Sequence, residues 1–554
     1  MKKIYLSFLL CTSLFLVNAQ WSNNTNLNTL VAGKDASDIQ TVNTSDGRTW
    51  IAFYSNTGNN YDMRAQLLDA NGNRMFGDSG VVVSNKKSGS ATFVFNVCVD
   101  NDNNFIIAFQ VAKGSAYECV MQKVGLSGQL LWGSSGIDLG AGLSPYPATL
   151  STNEIAVAWN NNGKINYQKV STTGVAAWPS PKIFGGNSTH IVSRAQVVAN
   201  TNGKFSMVYQ DQFSPPFYTN LFEQKFDNSG NILWASAVKI SSLSTVSYRY
   251  YDVHAEDDTT YVGFYGNPSG TNRFDAYIQR INADGSLPWG INGSAFADFS
   301  TSSDPYEQTI YIAKQKGSTA VWAVCTITNI FQTTSAVYAQ KLDALTGARY
   351  LGNNAKKLSP LSSRLIKLAF CKLSLCGNEP LFLVTDDVSN KLLAVKLKAD
   401  GSVAFASGVA TSNNVKYRYG FTDTYNGQAV AVWQEDKGTG TMAYAQNILC
   451  DGSTGLHQSN ANTVKPLTAT TLSIKSFYPN PVQNNLTATI TSSIQCEVHI
   501  YITDVNGNVY KQFDKIITKG DNLIQLNLTT LRSGNYFIKV VNEYASAGSL
   551  FMKQ

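Results

Sequence analysis

Chemistry has few places to come from in this chain. Four histidines occur, His190, His254, His457 and His499. They form no HExxH, no paired cysteine ligands accompany them, and no Ser-His-Asp arrangement follows from their order. The sequence therefore implies no metal, no cofactor and no catalytic set of that kind. A glycosidase or lyase needs only two carboxylates or a tyrosine, and Asp211, Asp252, Glu256, Asp304, Glu307 and Glu435 stand near loops. Asp100-Asn101-Asp102 spaces its oxygens as a calcium loop begins, but Phe105 stands where that loop requires glycine and no glutamate closes it, so a hairpin turn is expected. Gly77-Asp78-Ser79-Gly80 looks like a serine nucleophile loop until Gly133-Ser134-Ser135-Gly136 and Gly290-Ile291-Asn292-Gly293 show it to be a repeated turn.

A better pattern combines arginine with tyrosine. Ser193-Arg194, Ser247-Tyr248-Arg249-Tyr250-Tyr251, Ser363-Arg364 and Lys416-Tyr417-Arg418-Tyr419 recur at comparable places, with Tyr146 and Tyr306 in two others. Phe213 to Tyr218 and Tyr265 to Phe274 form long loops beside them. Arginine forks and aromatic plates suit acidic sugars or the hot spot of a protein partner. The candidate ligand-binding residues are Arg194, Phe217, Tyr218, Tyr248, Arg249, Tyr250, Tyr265, Arg364, Tyr417, Arg418 and Tyr419.

The elements that position these residues come from a repeat. Gln224-Lys225-Phe226-Asp227-Asn228-Ser229-Gly230 followed by Trp234 reads as a strand, a tight turn and an aromatic on the returning strand. The frame recurs from Gln66, Gln122, Gln168, Gln279, Gln340, Val395 and Gln446 at spacings of 46 to 61 residues, room for four short strands. Before each anchor lies a run apolar on both faces, such as Phe105-Ile106-Ile107-Ala108-Phe109 or Ala429-Val430-Ala431-Val432-Trp433. A strand sandwiched between neighbours needs that pattern. Eight such units predict an all-β fold, a β-propeller of about eight blades, or seven if the weak seventh unit is irregular. In a propeller the Arg and Tyr stretches fall where one blade's outer strand leads into the next blade's inner strand, on one face beside the central channel. The eighth unit lacks its Trp strand, and Trp21, Leu27, Leu30 and Val31 have the right form to supply it and close the ring.

Composition bounds the rest. Lys2 and Lys3, the apolar run from Ile4 to Val17 and Ala19 form a signal peptide over 1–19, with Gln20 the first mature residue. No later stretch is apolar enough to span a membrane as a helix. Net charge is +6, or +4 without Lys2 and Lys3, too small and too dispersed for a nucleic-acid partner. Seven cysteines follow the signal peptide, an odd and scattered set expected to be mostly buried free thiols, with only Cys371 and Cys376 close enough in sequence to suggest a pair. The propeller is expected over 20–455, a polar linker over 456–471, and a second domain over 472–554.

That second domain alternates like a small seven-stranded sandwich. Its Tyr478-Pro479-Asn480-Pro481 opening, its Asp504-Val505-Asn506-Gly507 turn and its late Ser533-Gly534-Asn535-Tyr536-Phe537 strand closely resemble the type A C-terminal sorting domain of the Bacteroidota type IX secretion system. The family commonly has Ile or Thr where Asn535 stands. The resemblance makes Tyr478, Pro479, Asn480, Pro481, Gly507, Gly534, Tyr536 and Lys553 the sorting motif. It implies export by the type IX translocon and its outer-membrane barrel shuttle, processing by a sortase-like protease, and a location on the outer face of the outer membrane or in the medium.

Together these readings give an exported, non-enzymatic propeller that binds glycan or protein, as an adhesin or docked on an outer-membrane complex. A carbohydrate-active enzyme and a structural subunit of secretion or gliding machinery are the alternatives.

Overall fold

The computed structural model describes residues 21–213, 218–245, 251–268, 275–299, 306–329, 331–363, 366–455, 472–492, 495–504, 509–541 and 546–554. They fall into two compact units, Met1–His457 and Gln458–Gln554. In the first, eight antiparallel sheets follow one another, each a run of four strands. Blade 4 is typical, with His190–Ala199 innermost, then Phe205–Phe213 and Tyr218–Phe226, and only Val238–Lys239 on the rim. Second strands carry the core, and Ala320–Thr328 of blade 6 is buried at every position. The innermost strands are stitched side by side around the channel. Asn96 Nδ2 donates to Pro145 O at 2.9 Å, Gln196 Nε2 to Tyr251 O at 3.1 Å, and Ile312 N to Asp252 Oδ2 at 2.7 Å. Gly420 of blade 8 lies against Thr41 of blade 1, completing the circle.

The repeated Gln and aromatic are joints between blades. Gln122 Nε2 donates to Gly133 O of its own turn at 2.8 Å and to Val83 O of blade 1 at 3.0 Å, while its Oε1 accepts from Lys123 N and Trp132 N. Gln279 and Gln340 make the same double connection, to Ile240 O and Phe296 O. Each such amide satisfies backbone carbonyls that would otherwise be buried without donors. The aromatic reaches forward, and Trp132 Nε1 meets Thr172 O at 3.3 Å with its ring over Gly174 of the next blade.

Blade 8 takes its outer strand from the other end of the chain. Thr29–Asp35 pairs with Thr441–Leu449, which pairs with Gln428–Asp436 and then Lys416–Phe421. Trp21 is the missing aromatic. Its Nε1 donates to Ala70 O at 2.8 Å, and its ring covers Gly72, where φ is +87° and a Cβ would sit 2.6 Å from the indole. Only glycine meets both the left-handed backbone and the close approach. Gln446 Nε2 reaches Ser22 O at 2.8 Å, as its counterparts reach their turns.

Blade 7 is the irregular unit. Its first strand is broken into Ile366–Leu368 and Ser374–Cys376, both paired with Glu379–Asp386. The one disulfide among the described residues is not the pair that nearness in sequence suggests, and Cys119 and Cys325 are buried thiols, as expected. Cys376 is bonded to Cys450, 74 residues away in blade 8, with Cα atoms 5.8 Å apart, and Cys371 keeps a free thiol. Nearness in sequence misled because Cys376 joins the core shared by blades 7 and 8, where Cys450 also packs.

The second unit packs a three-stranded sheet (Leu472–Tyr478, Asn485–Ser492, Gly520–Asn527) on a four-stranded one (Cys496–Thr503, Val509–Ile517, Gly534–Val541, Ser546–Lys553). Leu486, Ile490, Ile500, Ile502, Ile538 and Val540 fill the space between. Its opening motif clasps its last strand. Asn480 Oδ1 accepts from Met552 N at 2.8 Å, Val482 N donates to Met552 O at 2.8 Å, and Gln554 N to Val482 O at 2.8 Å. Lys553 is buried beside them, whereas Gly507 lies outside the described residues.

Candidate functional site

At the start of several innermost strands the register slips. The shift falls between Ser37 and Ile39 in blade 1, Leu143 and Tyr146 in blade 3, Ser193 and Gln196 in blade 4, and Tyr417 and Tyr419 in blade 8. Inside each slip one residue is left-handed. They are Asp38 (φ 56°), Ser144 (φ 55°), Arg194 (φ 54°) and Arg418 (φ 53°). None is glycine, so each carries backbone strain on the order of 1 kcal/mol. A bulge re-aims the side chain it carries and is common at the rim of closed sheets. These four bulges open on the face where second strands run into third strands, because their partners lie at the ends of second strands, such as Gln210 and Gln434.

Arg418 is exposed, Arg194 half-exposed, and Tyr417 is 38% exposed with its hydroxyl 2.9 Å from Thr441 Oγ1. Arg418 faces Asp38 across the seam between blades 8 and 1. Burial raises the Asp38 pKa, and the guanidinium works against that rise. Tyr251 braces Arg194, its one hydroxyl proton shared between the carbonyls of Arg194 and Val208. Tyr419 is half-buried and donates to Lys416 O. Tyr265 is a correction. Its place in the sequence puts it on this face, but it lies in a second strand and is buried between blades 5 and 6. Phe217, Tyr248, Arg249, Tyr250 and Arg364 lie outside the described residues, as does the side chain of Tyr218.

The carboxylates are occupied by structure. Glu435 is fully buried, accepting from Trp433 Nε1 at 2.9 Å and from Ser412 Oγ, with Lys416 and Lys437 beside it. Glu307 is buried and accepts from Ala276 N. Asp252 holds Ile312 N, and desolvation lifts its pKa to about 7. Glu256 holds Lys314 and Gly317 N. Asp304 lies outside the described residues. Asp100 forms the expected turn, accepting from Asp102 N and Asn104 N and pairing with buried Lys123 at 2.7 Å.

One arrangement escaped the sequence. His190 Nδ1 stands 3.2 Å from Asp211 Oδ2 on the bulged face of blade 4. Asp211 Oδ1 and the Nδ2 of its cross-strand partner Asn220 are buried, with no hydrogen-bond partner among the described residues. His190 and Asp211 are 21 residues apart, and only the pairing of first and second strands brings them together.

Residues 476–552 match the family described as the secretion system C-terminal sorting domain. No curated protein matches the chain. Among solved structures, a prolyl endopeptidase studied for inter-domain dynamics is 12% identical over 74% of this chain, with a TM-score of 0.42, and the match spans 56% of that protein's length. The propeller domain of the Trilobed protease of Pyrococcus furiosus, described as having an open velcro topology, is 10% identical over 64% of this chain and 93% of its own, with a TM-score of 0.36. A Penicillium chrysogenum α-L-arabinanase bound to arabinobiose is 10% identical over 65% of this chain and 93% of its own, at 0.35. Likenesses at this level carry nothing about substrate or chemistry. The sorting domain does carry a destination: residues 476–552 belong to the C-terminal sorting domain family of the type IX secretion system, and the protein is a β-propeller exported by that machinery to the cell surface or the medium.

Proposed function

We infer that the protein is a binding propeller whose bulged face holds a glycan or protein ligand without turning it over. The observation that carries this reading is the set of strained bulges at Asp38, Ser144, Arg194 and Arg418. Strain is retained where the side chain it aims has a use, and an exposed arginine beside an exposed tyrosine suits a carboxylate-bearing sugar or an acidic protein surface. Further support comes from the engaged carboxylates, since glycoside hydrolysis needs two that flank an open site. The test presents the full exported chain to a glycan panel and to outer-membrane extracts. Saturable binding, weakened tenfold or more in Arg418→Ala or Arg194→Ala with no product released, is expected. Undiminished binding in both variants would overturn it.

His190 and Asp211 favour a second reading, a hydrolytic enzyme. A carboxylate on Nδ1 leaves Nε2 to move a proton, and among the described residues nothing engages Nε2. Product release lost in His190→Gln, with binding retained, would move the assignment to this reading.

A further inference from the structure

On the opposite face, between blades 5 and 6, lies a cavity of about 320 Å³ lined by Tyr261, Arg280, Lys314, Ser318, Thr319 and Asp343, with Leu345 at its lip. Arg280 stands one residue after Gln279, a place that five of the other seven units give to lysine and two to Leu67 and Asn447. Four of those five lysines find acids, and Lys341 instead donates to Ala399 O at 3.2 Å. Lys123 pairs with Asp100 at 2.7 Å, Lys169 with Glu154 at 3.0 Å, Lys225 with Asp258 at 3.4 Å and Lys396 with Glu379 at 2.9 Å.

Arg280 has none, because its blade's acids are taken by neighbours. Asp258 holds Lys204 and Lys225, Asp257 holds Lys316, and Glu256 holds Lys314. Asp343 is closed off by its own turn, with Oδ1 accepting from Leu345 N, Thr346 N and Thr346 Oγ1, and Oδ2 from Tyr350 OH at 2.6 Å. The guanidinium therefore gives Nη1 to Ala344 O at 2.7 Å, and its buried Nε–H has no acceptor among the described residues. A permanent cation that lines a cavity and makes no ion pair among the described residues favours an anionic oxygen there.

We propose that this cavity binds a small carboxylate-bearing molecule the size of one sugar acid, held by Arg280. The volume suits a monosaccharide. Tyr261, with the Lys314 ammonium 5.9 Å from its ring centroid, forms part of the wall, and Ser318 and Thr319 belong to the lining. The site does not depend on the reading of the bulged face.

The experiment titrates the full chain with glucuronate, glucose and N-acetylglycine by ligand-observed NMR. Glucuronate binding at a millimolar Kd, at least tenfold tighter than glucose, is expected. Arg280→Gln should weaken it tenfold or more. Leu345→Asp, at an exposed lip position beside the guanidinium, supplies an internal carboxylate and should do the same without lowering the melting temperature. N-acetylglycine binding as tightly as glucuronate would support the carboxylate site but name peptide ends as its source. Equal binding of glucose and glucuronate, no binding up to about 50 mM, or full binding in both variants would overturn the proposal.

Discussion

Where third strands turn into fourth strands, seven blades place a glutamine amide on the carbonyls of the turn or of the neighbouring chain, and in six of them an aromatic ring covers the next blade's glycine, Leu351 taking that place in the other. At the opposite end the residues at equivalent places differ from blade to blade: aspartate, serine and two arginines sit in the left-handed bulges. Repetition at the first end means that one physical problem, joining blade to blade, is solved in nearly the same way each time. Variation at the second, at the expense of backbone strain, means that no shared packing requirement sets those side chains. The contrast separates residues kept for the ring from residues free to serve a ligand.

Trp21→Ala tests the repetitive end hardest. It removes a buried ring and its Nε1 bond at the one joint made by distant parts of the chain, and a loss of about 3–5 kcal/mol in denaturant unfolding is expected. Gln122→Ala should cost about 2–3 kcal/mol, since two carbonyls lose their donor. Gln224→Ala should cost roughly half as much, because Gln224 Nε2 has one carbonyl, Trp234 O. Equal losses in the two glutamine variants would mean that the reach to the preceding blade contributes nothing.

Glu223 gives a pH signature. Buried between blades 4 and 5, with Thr260 Oγ1 at 2.8 Å and Oε2 without a partner among the described residues, its carboxyl is pushed up to about 7 from 4.5 by desolvation. Between those values the folded chain keeps a proton that the unfolded chain releases, so stability is full below pH 4.5 and falls as pH rises toward 7. Melting temperatures of Glu223→Gln across this window should fall less steeply, and Asp252, shifted the same way, maintains a residual slope.

The smallest effect sharpens the comparison most. Arg418→Gly should raise stability by about 0.5–1 kcal/mol, because glycine accepts the left-handed backbone freely, while ligand binding falls. A destabilised Arg418→Gly would show that the arginine serves the ring.

The repeat is legible in the sequence because its period lies in turn and strand residues, and glycine followed by an aromatic marks most corners. Trp21 is assignable to blade 8 from the amino-acid order alone, since one unit lacks its aromatic and one aromatic lacks a unit. The sorting domain is legible from local motifs. Other features are not, for one physical reason: they arise between strands. A bulge is a shift of register, invisible in either strand alone, so Arg194 and Arg418 stand out by type and not by conformation. Tyr265 is misplaced by its sequence because an aromatic at the end of a buried strand resembles one at the start of a loop. The His190–Asp211 contact and the unmatched Arg280 likewise depend on which strands face each other. Cys376 pairs across blades, a choice that spacing along the chain does not encode.

The joint at blade 8 also sets an order of events. Thr29 pairs with Ala445, so a strand made near the beginning has no partner until nearly the whole propeller has been delivered. Bringing such distant segments together costs on the order of 5 kcal/mol of chain entropy, repaid only when every intervening blade has formed. A chain cut short before Leu449 leaves two unmatched sheet edges open to proteases and to other strands. Closure thus acts as an inspection of completeness, and what passes it is a whole ring.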